Sequence, residues 1–189
     1  MSRIISGQAG SIRLKSAASS TRPTTDRVKE SLFAALEARG FLESANVLDL
    51  YAGTGALALE ALSRGAKSAV LIEKDPSAHK ISAENTRVVL NALTKSGSAA
   101  VAENLKIDAA KYIKSTTDIF DLVFIDPPYE FANELLVAQL AQLQQSVADH
   151  GVVVIERSSR TREIPIPDWL YEISNKAVGE TRVAIYQKN

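Results

Sequence analysis

The chain has 189 residues, 46% of them hydrophobic, which suits one domain with a real core and is too apolar for a disordered protein. It has no cysteine, which excludes disulfides, thiolate metal sites and a thiol nucleophile, and its two histidines, His79 and His150, lie far apart. Net charge is zero, yet residues 1–39 hold seven cations against three carboxylates, a surplus of +4 that leaves −4 for the rest and suits an anionic partner at this end. No run approaches the ~18–20 apolar residues of a membrane span. The start lacks a signal pattern, so a cytoplasmic location is expected. No carboxylate cluster suggests a metal, and nothing suggests more than a monomer.

In chain order, RIISG and SIRLK flank the turn-like QAG, so residues 3–15 are expected to form a short hairpin. A small-residue linker follows. RPTTDRVKESLFAALEARG then carries a helix, with Thr24 or Thr25 as cap, Val28, Leu32, Ala35 and Leu36 on one apolar face, and Gly40 at its end. From Asn46 the pattern alternates: NVLDLY, SAVLIE, AAVAE, FDLVFI and GVVVIER are expected strands. The helices between them are expected over Gly55–Arg64, Pro76–Leu93, Asp108–Lys114 and Ala132–Val147. Short apolar runs alternating with helices predict a parallel sheet covered on both faces. The end differs. WLYEISNKAV and TRVAIYQK are two strands joined by GE, an antiparallel hairpin closing a seven-stranded sheet.

Gly53 and Gly55 stand at the first strand-to-helix turn, in VLDLYAGTGALALEAL. Glycines there let a ligand approach the backbone, and the helix N-terminus offers free N–H groups. Glu73 ends the next strand, where a carboxylate can accept from ribose hydroxyls. A dinucleotide would bring a pyrophosphate close to Asp49 with no offsetting cation in the loop, and Ala58 stands where that fingerprint has its third glycine. S-adenosyl-L-methionine has no phosphate and carries an ammonium and a sulfonium, which an anionic wall suits. It is therefore the favoured cofactor. Asp108, after the third strand, can accept from an adenine amine, cap the next helix, or do both.

The fourth strand ends in Asp126-Pro127-Pro128-Tyr129. Two prolines can neither extend the strand nor enter a helix interior, so this turn is stiff. In a doubly wound sheet it faces the same crevice as Gly53. The Asp126 carboxylate and Pro127 carbonyl suit a planar NH2 group, and Tyr129 can stack on the base that carries it. Methylation at a pyrimidine C5 generally requires a thiolate, which is absent, so an exocyclic amine is the expected acceptor.

The segments RPTTDRVKESLFAAL, VLDLYAGTGALALEALSRGA, LIEKD and DPPY, with the N-terminal hairpin, resemble the RsmD family in the same order over nearly the whole chain. The resemblance implies a class I S-adenosylmethionine-dependent methyltransferase (Rossmann-like) α/β fold. It implies an N-terminal hairpin and helix over 1–40, with the methyltransferase domain over 41–189. It implies methyl transfer to N2 of a guanine in 16S ribosomal RNA, as RNA or as a small-subunit particle. Asp49, Tyr51, Ala52, Gly53, Thr54, Gly55, Glu73, Asp108, Ala109 and Asp126 would contact the cofactor. Asp126, Pro127 and Tyr129 would serve the target base. Arg22, Thr24, Arg27, Arg13 and Lys15 would meet RNA, and Lys29 is counted with these phosphate-contacting cations. D-P-P-Y alone is also shared with enzymes acting on adenine in DNA, while an NAD(P) oxidoreductase or a nucleotide-binding module would leave it unexplained.

Overall fold

Seven short runs pair into one sheet in the computed structural model, which describes residues 2–16 and 26–189. The strands are β1 (Asn46–Asp49), β2 (Ser68–Ile72), β3 (Val101–Leu105), β4 (Phe120–Ile125), β5 (Val147–Ser158), β6 (Leu170–Val178) and β7 (Thr181–Lys188). The helices are α1 (Asp26–Glu37), α2 (Ala56–Ser63), α3 (Pro76–Lys95), α4 (Ala109–Ser115) and α5 (Asn133–Leu143). The sheet order is β3-β2-β1-β4-β5-β7-β6. β1 to β5 pair in parallel, and β7 runs antiparallel between β5 and β6. The order reverses between β1 and β4, which places the switch-point crevice beyond Asp49 and Ile125.

Both faces of the central strands are apolar because both are covered. Leu122 and Phe124 of β4 enter the core under α1, α2 and α3, while Val123 and Ile125 enter the core under α4 and α5. The expected apolar face of α1 is present, with Val28, Leu32 and Leu36 buried. Phe33 joins it, fully buried 5.8 Å from the Phe124 ring, a burial worth ~1.5–3 kcal/mol. Gly40 ends this segment at φ 74°. The expected threonine caps of α1, and Arg22, lie outside the described residues.

The N-terminal hairpin is reduced to a single bridge, Arg3 to Arg13. Around that bridge Ile4 N donates to Ile12 O and Leu14 N to Ser2 O, both at 2.9 Å, so the expected hairpin is present in short form, and its tip bonds outward as well. Ile5 N and Ser6 N donate to Glu60 of α2 at 2.7 and 3.1 Å, and Ala9 N donates to Ser63 Oγ at 2.9 Å. Ile4, Ala9 and Leu14 pack into the same core as α1. At Gly7 (φ 83°) a Cβ would lie 2.0 Å from Ser63 O, so only glycine seats the strap this close to α2.

Candidate active site

The glycine loop is shaped by two different needs. Gly55 (φ 83°) has Leu71, Leu59 and Ser82 within 3.1 Å of where a Cβ would stand, so both conformation and packing demand glycine. Gly53 (φ 55°) has only Tyr51 O at 4.0 Å, so its missing side chain opens onto free space above the loop. The loop is pinned from both sides. Glu73 Oε2 accepts from Gly53 N at 3.0 Å, and Asn85 Nδ2 of α3 donates to Thr54 O at 2.9 Å. Ala52 N bonds Ile72 O at 3.0 Å. Tyr51 donates to Gln139 of α5 at 2.7 Å, and its ring meets Phe131 edge-on at 5.4 Å.

Asp49 lies beneath this loop at 1% exposure, and neither carboxylate oxygen has a hydrogen-bond partner. Burial pushes its pKa up to about 7; the Ala58 and Tyr51 backbone, outside hydrogen-bonding geometry, pulls it down, and Glu73 adds to the rise. A buried, unpartnered carboxylate beside an open glycine turn fits a cationic ligand, because a cation supplies the missing compensation. The cationic methionine end of S-adenosyl-L-methionine meets that description. Glu73 also accepts from Asp75 N at 2.8 Å, so its loop-holding bonds use one lone pair on each oxygen and leave others for a ribose. Asp108 caps α4 through Oδ1, from Ala110 N at 3.0 Å and Lys111 N at 3.3 Å, while Oδ2 has no partner among the described residues. Ala109 begins α4 and is buried in the core.

Asp126 follows β4 directly, partly exposed at the crevice. Desolvation raises its pKa well above the ordinary carboxylate range, Glu156 and Asp49 raise it further, and Arg157 opposes them. Pro127 is buried, and its carbonyl has no hydrogen-bond partner among the described residues. Pro128 O closes the turn by accepting from Phe131 N at 2.8 Å. Tyr129 projects into solvent at 49% exposure, which leaves its ring free to stack. The loop beyond is tethered by Arg157 of β5, whose Nη2 donates to Phe131 O at 2.7 Å and Asn133 Oδ1 at 3.0 Å.

Glu156 and Arg157 escaped the sequence reading. The signal was present: a charged pair closing the run VVVI, at the crevice end of a buried parallel strand. Asn85 and Gln139 carried no local signal, since their partners lie 31 and 88 residues away.

The basic end divides. Arg27 and Arg13 are exposed. Lys15 is exposed but pairs with Glu84 at 2.7 Å. Lys29 is a correction: it is 1% exposed, donates to Arg3 O and lies 3.7 Å from Glu60, so it cannot reach a phosphate. Burial lowers its pKa, against the pull of Glu60. Arg22 and Thr24 lie outside the described residues. Among the described residues no group of His, Cys, Asp or Glu is placed to hold a metal, and no helix is long and apolar enough to cross a membrane.

Residues 2–187 match the family described as conserved hypothetical protein 95. Ribosomal RNA small subunit methyltransferase D of Escherichia coli strain K12 is 33% identical over 171 residues, 88% of this chain and 79% of that protein. YlbH of Bacillus subtilis strain 168 is 33% identical over 190 residues, 98% of each chain. The solved structure of Escherichia coli yhhF has a TM-score of 0.79 at 31% identity, covering 99% of this chain and 97% of that one.

Proposed function

The chain belongs to the conserved hypothetical protein 95 family, the RsmD family, and from that premise we propose that it methylates the exocyclic N2 amine of a guanine in 16S ribosomal RNA. Its fold is that of the class I methyltransferases, S-adenosyl-L-methionine is its cofactor, and ribosomal RNA is its substrate class. The choice of an exocyclic amine rests on the clamp, two acceptors, Asp126 and the Pro127 carbonyl, beside an exposed aromatic ring at the switch point; the choice of guanine N2 over adenine N6 rests on the family resemblance.

When bound, the cofactor supplies an electrophilic methyl carbon on a positively charged sulfur. Asp49 would hold the cationic end, the ligand's charge compensating a carboxylate whose ionisation burial otherwise opposes. Glu73 and Asp108 hold the ribose and the adenine amine. Asp126 and Pro127 O accept the two amine hydrogens, which aims the nitrogen lone pair at the methyl carbon and stabilises positive charge as it builds. A methyl transferred from sulfur to this nitrogen, with the C–S electron pair staying on sulfur, would leave one amine proton to be removed. Asp126, with its raised proton affinity, is suited to receive that proton. Tyr129 stacks on the guanine.

The test is methylation of small-subunit particles with labelled S-adenosyl-L-methionine, followed by nucleoside analysis. N2-methylguanosine is expected. Label appearing only in N6-methyladenine, or at a ring carbon, would overturn the reading.

A further inference from the structure

β5 and β6 run parallel with β7 between them, so residues 159–169 must cross from one to the other. Such crossovers usually carry a helix that fills the space above the sheet. This one has none. Beneath it opens a cavity of about 140 Å³. Its floor is apolar, formed by Ile155, Ile164, Ile166 and Tyr186.

Its rim is cationic. Arg157, Arg162 and Arg182 line it, against Glu163 and Glu172. Glu163 is engaged with Arg182 Nη1, and Glu172 accepts from Asn175 at 3.0 Å. Donors remain over. Arg182 Nε, Arg157 Nε and Arg157 Nη1 are buried without an acceptor, and Arg162 is exposed with no carboxylate partner among the described residues. Buried cationic N–H groups beside a cavity call for an anionic oxygen.

The cavity is joined to the clamp. Arg157 bonds Phe131 and Asn133, just beyond Tyr129, and Asn133 Nδ2 donates to Arg162 O at 3.2 Å. An apolar floor with an arginine rim matches one nucleotide, flat and apolar at the base and anionic at the phosphate. Proteins read RNA largely through such unstacked single nucleotides. We propose that this cavity takes one unpaired nucleotide of the RNA beside the target base, with its base on the isoleucine and tyrosine floor and its phosphate against Arg162 and Arg182. The proposal rests on the ribosomal RNA reading above.

Two readouts separate the two. In the first, full-length protein with methyl-labelled isoleucine and alanine is titrated by NMR with a short single-stranded RNA and, separately, with inorganic phosphate. Saturable shifts at Ile164, Ile166 and Ala184 are expected with RNA. Arg162→Ala, on the exposed crossover, and Thr161→Trp, which blocks the mouth and keeps every charge, should each weaken them about tenfold. In the second, particle methylation by these variants should show a KM raised by a similar factor, with kcat and S-adenosylhomocysteine affinity unchanged. No shift at these methyls, or equal shifts with phosphate alone, overturns the nucleotide pocket. Unchanged KM in variants of a wild type that methylates particles overturns it too. Pocket shifts with RNA, in a protein that leaves particle guanines unmethylated, would keep the pocket and overturn the guanine reading.

Discussion

Three side chains at the crevice carry distinguishable loads. On the proposed mechanism Asp126→Ala removes an acceptor that strengthens as the amine nitrogen becomes positive, so the barrier to turnover should rise by about 2.7–4 kcal/mol, with cofactor affinity changing much less. Asp126→Asn keeps an oxygen and should retain more activity. Single-turnover methylation measures both, and near-normal turnover by the alanine variant would reduce the motif to a stiff turn. Tyr129→Phe should be mild, while Tyr129→Ala should lose about 1–3 kcal/mol of substrate binding, since stacking needs the ring and not the hydroxyl. Asp49 makes a pH prediction. Its pKa of about 7 in the folded protein lies above the ordinary carboxylate value. The folded state therefore holds a proton that the unfolded chain has released, and the unliganded protein should lose stability as pH rises toward 7. A bound ammonium reverses the preference. Calorimetry should show S-adenosylhomocysteine binding tighter at pH 8 than at pH 6, by about tenfold for one linked proton. Asp49→Asn should flatten that dependence; an unchanged slope would assign the linked proton elsewhere.

Among the elements, the strap on α2 hangs on one carboxylate. Glu60 is fully buried and meets Ile5 N, Ser6 N, Lys29 and Arg64 Nε, the last at 2.8 Å. Glu60→Ala would leave a buried lysine uncompensated and two backbone donors unpaired, and should destabilise by about 3–5 kcal/mol. Thermal unfolding would reveal it; a loss under ~1 kcal/mol would mean that water fills the gap. Lys29 shows why this hub was illegible. In the sequence it is one more cation in a basic stretch, and only the tertiary fold supplies Glu60, 31 positions on. Where a continuous apolar or alternating run marked a strand, the sequence sufficed: β4 and β7 have the expected bounds. β3 runs two residues later than expected, because an edge strand with exposed Val101 has little apolar pattern to fix it. β5 begins at Val147 and not Gly151, since a register jump beside Phe120 absorbs the polar stretch ADHG, with His150 at φ 63°. α5 correspondingly stops at Leu143, and a single 3₁₀ turn leads into the strand.

At the scale of the molecule, the glycine loop and the clamp were readable because chain order alone sends them to one crevice. The arginines that brace them were not, because β5 and β7 acquire their neighbours only when the sheet closes. Binding to RNA should weaken with salt, and removing Arg13 and Arg27 together should lower the logarithmic slope by about two units. Lys29→Met should leave that slope alone, its charge being spent internally. Filter binding across a salt series decides it, and an unchanged slope in the double variant would make the basic end a mere solvated surface. The sheet order has one more consequence, for synthesis. A ribosome makes β6 before β7, yet among the described residues β6 pairs with β7 and with no other strand. The nascent chain must carry an orphan strand until β7 emerges, and then admit β7 between two strands already made. Nonsense changes after Val178 should thus yield a chain with an exposed, pairing-competent edge at β5 and a loose β6, prone to aggregate although the glycine loop and clamp are already complete.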